Sequence, residues 1–249
     1  MRNDDVDVRE EREDMTAGTA LHRLGHSRLN VLAALLLTFT TGMIDAIGYL
    51  GLDRVFTANM TGNVVILAIG VAGGAALPVA GPLVAFAGFF LGAALSGRAH
   101  RGAGSGWTST TTRTLLATGL LVSATALAVL LSPPQHGSRW ALVVTATLGL
   151  AMGAQAAAAR SLGVADVSTV VVTMTLTGLA ADSSIGAGQN RRWRRRTGAL
   201  LALAAGAAAG ALLVKIGLAA GLAACGVSII AVGVATHRSH RAIRVRLGP

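Results

Sequence analysis

The chain has 249 residues, of which 53% are hydrophobic and 13% charged, with a mean hydropathy of +0.62. A soluble domain carries about 25% charged residues, so a water-borne globule is excluded, and the formal charge of +10 reads as membrane topology rather than as a nucleic-acid surface. The single cysteine, Cys225, excludes an intrachain disulfide and a cysteine metal cage.

The chain opens on MRNDDVDVREERED (1–14), seven acids and three arginines with almost nothing apolar to bury. This composition predicts a disordered acidic tail within a juxtamembrane segment of residues 1–28. No small-residue cleavage pattern follows the first apolar block, so a removable signal peptide is not expected. Apolar segments come next, at about 29–50, 61–77, 79–97, 113–131, 140–159, 168–182, 197–214 and 218–236. Membrane crossing takes about 17 to 25 such residues. The joins carry loop punctuation: GLDR (51–54), GRAHRGAGSGWTS (97–109), SPPQHGSR (132–139) and GQNRRWRRR (188–196), with a basic end at 237–249. Only Lys215 interrupts the last two segments. A turn is expected there, because a single helix of both would be about 60 Å long, twice the hydrocarbon thickness.

These segments predict an all-α, polytopic transmembrane helical bundle. If all eight cross, six basic residues fall outside: Arg54, Arg98, Arg101, Arg113, Arg160 and Lys215. If 61–77 and 168–182 enter and return, only Arg54, Arg139 and Lys215 stay outside. The positive-inside rule therefore favours six spans plus two short re-entrant or broken helices over seven or eight full spans, with both termini cytoplasmic in a bacterial inner membrane. A transmembrane domain of 29–236 is expected, in repeated halves of about 29–131 and 140–236. A shift of 112 lays Val55, Thr57 and Thr61 on Val167, Thr169 and Thr173, and a shift of 110 lays Asp45 on Gln155. Three crossings per half would make the halves inverted copies, an arrangement of secondary transporters.

Asp45 is the residue with most to explain, since a carboxylate facing lipid costs several kcal/mol. It is expected either to face a cavity as a proton or cation site, or to lie at headgroup level. Asn59, Thr61, Gly62 and Asn63 follow, suited either to orienting a solute or to capping a broken helix. In the second half Gln155, Thr169, Thr173, Thr175 and Thr177 supply neutral polarity, each threonine also able to bond its own helix. The basic run through Arg191–Arg196, with Trp193, is expected to meet anionic lipid headgroups and not nucleic acid. The six histidines lie in loops and tails without metal-ligand spacing, and no P-loop, G-x-S-x-G or C-x-x-C occurs. An enzyme, a cofactor and ATP-driven pumping are not expected.

The stretch TGMIDAIGYLGLDRVFTANMTGNVVILAIG (41–70) carries a G-x-x-D pattern, then V-F-x-x-x-x-T-G-N, at Gly42, Asp45, Val55, Phe56, Thr61, Gly62 and Asn63. With GAQAAAARSLGVADVSTVVVTMTLTGLA (153–180) it resembles the bacterial YoaK-like membrane proteins over about 29–236. Where that family often has an asparagine early in the later block, alanines follow Gln155 here, so no amide pair carries over. The resemblance implies a multi-pass membrane protein and brings no substrate with it. The expectation is a secondary transporter or permease-like protein for a small solute, proton-coupled through Asp45, with a membrane scaffold or accessory subunit as the alternative. The solute and the oligomeric state are not legible.

Overall fold

The computed structural model describes residues 4–73, 77–104, 106–164, 172–183, 186, 188 and 193–247, with side chains from Ser27 onward except at 172, 244, 246 and 247. These residues form α1 (Asp4–Gly51), α2 (Met60–Val71), α3 (Ala80–Ala99), α4 (Ser109–Leu131), α5 (Arg139–Ser161), α6 (Val172–Ala181), α7 (Trp193–Ile216) and α8 (Leu218–Leu247). Six are long and apolar enough to cross a membrane: Ser27–Gly51 of α1, α3, α4, α5, α7, and Leu218–Ile243 of α8. The 12 residues of α2 and 10 of α6 give only about 18 and 15 Å of helix. Neither spans a hydrocarbon core of about 30 Å.

Helix ends follow local chemistry. The hydroxyl of Thr108 accepts from the Thr111 amide while the Thr111 hydroxyl accepts from that of Thr108, closing a capping box on α4. Ser138 accepts from the Ala141 amide at the start of α5. Pro133 and Pro134 stand just past the end of α4, where a ring without an N–H cannot continue a helix. Gly217 alone divides α7 from α8, which supplies the expected turn two residues beyond Lys215.

Both chain ends differ from expectation. The acidic stretch is helical from Asp4, and α8 carries the basic end to Leu247. Neither extension contains proline, and lengthening an established helix needs no new nucleus, so extension is far cheaper than starting an isolated helix.

The bundle is held by backbone-to-backbone contact at small residues. α3 packs on α5, α1 on α7, and α4 on α8, with α1 also against α8 and α4 against α5. A Cβ at Gly88 would overlap the Ala146 carbonyl, and one at Gly92 the Leu150 carbonyl. Gly206 stands over the Phe39 carbonyl and Gly210 over that of Met43 in the same way. In the opposite sense, Gly149 meets the Ala85 carbonyl and Phe89 amide nitrogen, as Gly42 meets the Leu203 carbonyl and Ala207 amide nitrogen. Gly119 and Gly226 meet each other's carbonyls where α4 packs on α8. Such approach is how membrane helices gain dispersion energy when lipid removes the hydrophobic drive between them.

These contacts recur along the chain. A shift of 107 carries the α1 and α4 positions onto α5 and α8 (42 to 149, 119 to 226), and a shift of 118 carries α3 onto α7 (88 to 206, 92 to 210). The partner of Asp45 under this register is Met152, not Gln155 as the shift of 110 had placed it.

With six crossings, the α3–α4 and α4–α5 connections lie on opposite faces. Ala103→Cys and Gln135→Cys should therefore label from opposite sides of the membrane with an impermeant thiol reagent, the native Cys225 being buried. Labelling of both from one side would refute the six-span topology.

Candidate functional site

α1 ends at Gly51, and the following residues turn back along it. The Leu52 amide bonds the Gly48 carbonyl at 3.1 Å, and a Cβ at Gly48 would lie 2.8 Å from the Val55 carbonyl oxygen. Only glycine leaves room for backbone to lie against backbone here. Arg54, with φ of 53°, makes the reversal. The returning strand of chain reaches the level of Asp45, six residues or about 9 Å below the end of α1.

There the amides of Thr57, Ala58 and Asn59 all donate to Oδ1 of Asp45, at 3.0, 2.7 and 3.3 Å. Three amides that no helix or sheet satisfies thus share one carboxylate oxygen. In hydrocarbon each would otherwise stand unpaired at a cost of several kcal/mol. Among the described residues no hydrogen bond reaches Oδ2, which is not among the fully enclosed polar atoms.

α2 starts at this depth and runs outward, its Gly70 meeting the Leu77 and Pro78 carbonyls just before α3. It is a re-entrant half-helix. Asn59 caps it, Oδ1 accepting from the Gly62 amide at 3.2 Å. Asn63, 1% exposed, ties the strand of chain to the helix: its Nδ2 donates to the Phe56 carbonyl at 2.6 Å and its Oδ1 accepts from the Phe56 amide at 3.0 Å. Gly62 is required beside it, because a Cβ would lie 2.8 Å from the Phe56 ring. Thr61 is exposed and caps nothing. Thr57, which no motif singled out beyond its place in the run, is fully buried and its hydroxyl has no partner among the described residues.

A groove of about 500 Å³ lies against this break, lined by Gly42, Asp45, Tyr49, Phe56, Asn59 and the alanines 207, 208 and 211 of α7, among others. Tyr49 and Phe56 stack at 5.1 Å between centroids and 23° between planes. Tyr49 and Leu50 also line a wider vestibule of about 980 Å³ at the end of α1, with Asp53, Arg54, Pro78 and His136. The Asp53 carboxylate accepts from the Gly137 amide, at 2.9 Å through Oδ1, and from Nδ1 of His136 at 3.2 Å. This fastens the α1–α2 connection to the α4–α5 connection. The α7 face and the aromatic pair were not read from the sequence, although Gly42 three residues before Asp45 marks the same helix face.

The polar residues singled out in the second half do not line this groove. Gln155, 1% exposed, turns into the core, where Nε2 donates to the hydroxyls of Thr40 and Thr41 at 3.2 and 3.3 Å. Thr38 and Thr41 in turn donate to carbonyls of their own helix, at Ala34 and Leu37. Beside Gln155 the free space is about 10 Å³, too little for a solute and barely one water. α6 packs on α7 and α2 on α3. Thr173 and Thr177 are exposed, Thr175 is buried, and Thr169 lies outside the described residues. Among the described residues, the 57–63 and 173–177 elements do not converge on one cavity.

The basic run also divides. Arg194 lies over the Trp193 ring at 5.6 Å, while Arg196 donates through Nη1 to the Gly178 carbonyl at 2.8 Å and to Asp182. Arg196 thus holds the end of α6 to α7. Arg191 and Arg192 lie outside the described residues.

Among known proteins, the family model described as protein of unknown function (DUF1275) matches residues 33–235. The UPF0700 transmembrane protein YoaK of Bacillus subtilis (strain 168) is 34% identical over 155 residues, 60% of this chain and 65% of that protein. The match therefore spans a little under two thirds of that relative. No solved structure matches. With the family model running from the first crossing helix to the last, this multi-pass transmembrane chain belongs to the DUF1275 family.

Proposed function

We propose that the chain is a secondary carrier for a small solute, proton-coupled through Asp45 and built from two inverted halves in a bacterial inner membrane. The observation that carries this reading is the groove at Asp45, which shares Tyr49 and Leu50 in its lining with the vestibule at the end of α1. A carboxylate lining a groove, beside a half-helix that starts inside the membrane, is the arrangement that transporters use to bind and couple. The recurring glycine contacts support the repeated halves, because three crossings in each half invert the second relative to the first. Cytoplasmic termini are supported by Arg98, Arg101, Arg113 and Arg160, which share their face, against Arg54, Arg139 and Lys215 on the other. The basic run Arg191–Arg196 would meet anionic headgroups at that cytoplasmic face. The reading is of carriage without covalent chemistry.

The alternative is a scaffold or accessory subunit, favoured by the fact that Oδ1 of Asp45 and the whole Asn63 carboxamide already serve the chain's own backbone. Metabolite uptake and export, compared between cells expressing the parent chain, Asp45→Asn and no protein, separates the two. The carrier reading expects at least one solute whose pH-dependent flux needs the parent chain and disappears with Asp45→Asn at equal membrane insertion. Identical solute profiles in all three would leave the scaffold, and unchanged pH-dependent flux with Asp45→Asn would remove the coupling role.

A further inference from the structure

Resting on the carrier reading, we infer that the groove between α1 and α7 binds an organic cation with an apolar body, its positive centre at Asp45. The walls set the chemistry. Leu203, Ala207, Ala208 and Ala211 offer only alkyl surface, and among the described residues Asp45 is the one charged side chain in the lining, with no basic residue. An anion would meet a carboxylate with nothing to offset it. Beside Asp45, a sugar-like solute would find only Tyr49 and Asn59 as polar side chains among the described lining residues, and Oδ1 of Asn59 already accepts from the Gly62 amide.

An inorganic cation is no better served. Hard cations take six to eight oxygens, and the groove presents the second oxygen of one carboxylate. Among the described residues no group of three or more His, Cys, Asp or Glu is arranged to hold a metal ion. An ammonium needs far less: one charge-assisted contact and polarizable surface around its substituents. The stacked Tyr49 and Phe56 rings on the same wall add the attraction that aromatic faces have for cations. The volume of about 500 Å³ lies within the range of small-molecule sites, about 300 to 1,000 Å³.

Oδ1 and Oδ2 divide the labour. The first holds the three amides of the re-entrant chain, and the second is left for the ligand. Cation binding at Asp45 therefore acts on the residue that anchors the break.

The test is equilibrium binding of benzyltrimethylammonium to the purified full chain in lipid nanodiscs, beside uncharged benzyl alcohol and anionic benzenesulfonate. Saturable binding of the cation alone is expected. Asp45→Asn keeps an oxygen for the three amides, and Ala211→Phe fills the groove without changing its charge; each should weaken the cation by about tenfold or more. No saturable cation binding, equal binding of benzenesulfonate, or full affinity in both variants would overturn the inference. Binding without solute flux would defeat the carrier reading and leave this site standing, whereas flux of an anion or sugar with no cation binding would do the reverse.

Discussion

Replacing Asp45 with alanine is expected to release residues 52–59 from α1 and to cost the protein about 3 kcal/mol or more. The amides of Thr57, Ala58 and Asn59 converge on Oδ1, and each buried donor left without an acceptor costs about 1 to 3 kcal/mol. The sum is discounted because at a depth of about 9 Å some water can follow the chain inward. Asp45→Asn should cost much less, since its amide oxygen accepts in the same place. Hydrogen exchange reads the difference directly: the three amides should lose protection in Asp45→Ala and largely keep it in Asp45→Asn, with thermal midpoints in the same order. Equal protection in the alanine variant would show that the segment is held by packing and not by the carboxylate.

A single methyl group at Gly92 or Gly210 is the second change with a large expected effect. A Cβ at Gly92 would overlap the Leu150 carbonyl and one at Gly210 the Met43 carbonyl. Backbone cannot rotate away as a side chain can, so α3 must part from α5, or α7 from α1. Overpacking of this kind costs about 1 to 3 kcal/mol, and the separation also forfeits dispersion along the whole contact. Gly97→Ala is the control, for a Cβ there meets nothing within 4 Å and removing a helix glycine stabilises by about 0.5 to 1 kcal/mol. Lower thermal midpoints for Gly92→Ala and Gly210→Ala, similar in size, against an unchanged or raised one for Gly97→Ala, are the expected outcome. A loss at one position alone would argue against equivalent halves, and no loss at either would refute the close-contact account of the bundle.

Both effects concern positions the sequence marks unevenly. The G-x-x-x-G spacings at 88–92 and 206–210 are visible in a chain with 32 glycines, where chance alone produces many such patterns. Contact with facing carbonyls separates these from Gly97 or Gly217. Asp45 stands out by its charge within an apolar block, yet whether it meets headgroups, lipid or a cavity depends on where residues 52–59 go. Asn59 and Thr61 are near-equal capping candidates on paper. Asn59 takes the role because the helix starts at Met60. Gln155 looked like the counterpart of Asp45 and is a core residue bonded to Thr40 and Thr41, because polar pattern does not report helix register.

What the sequence determined by itself is the membrane, the six crossings and the two short elements between them. Each follows from the length of an apolar run and the placing of arginines, which are properties of one segment and its flanks. The tertiary structure decided which glycines touch, that α2 starts inside the membrane on the Asp45 carboxylate, and that the groove is walled by α7 and not by α6. Those depend on contacts between residues far apart in the chain, such as Gly42 with Leu203. In a membrane, where apolarity is everywhere and drives no helix toward another, only the fit of small residues and the pairing of backbone amides select one arrangement among the many that the same hydrophobic pattern allows.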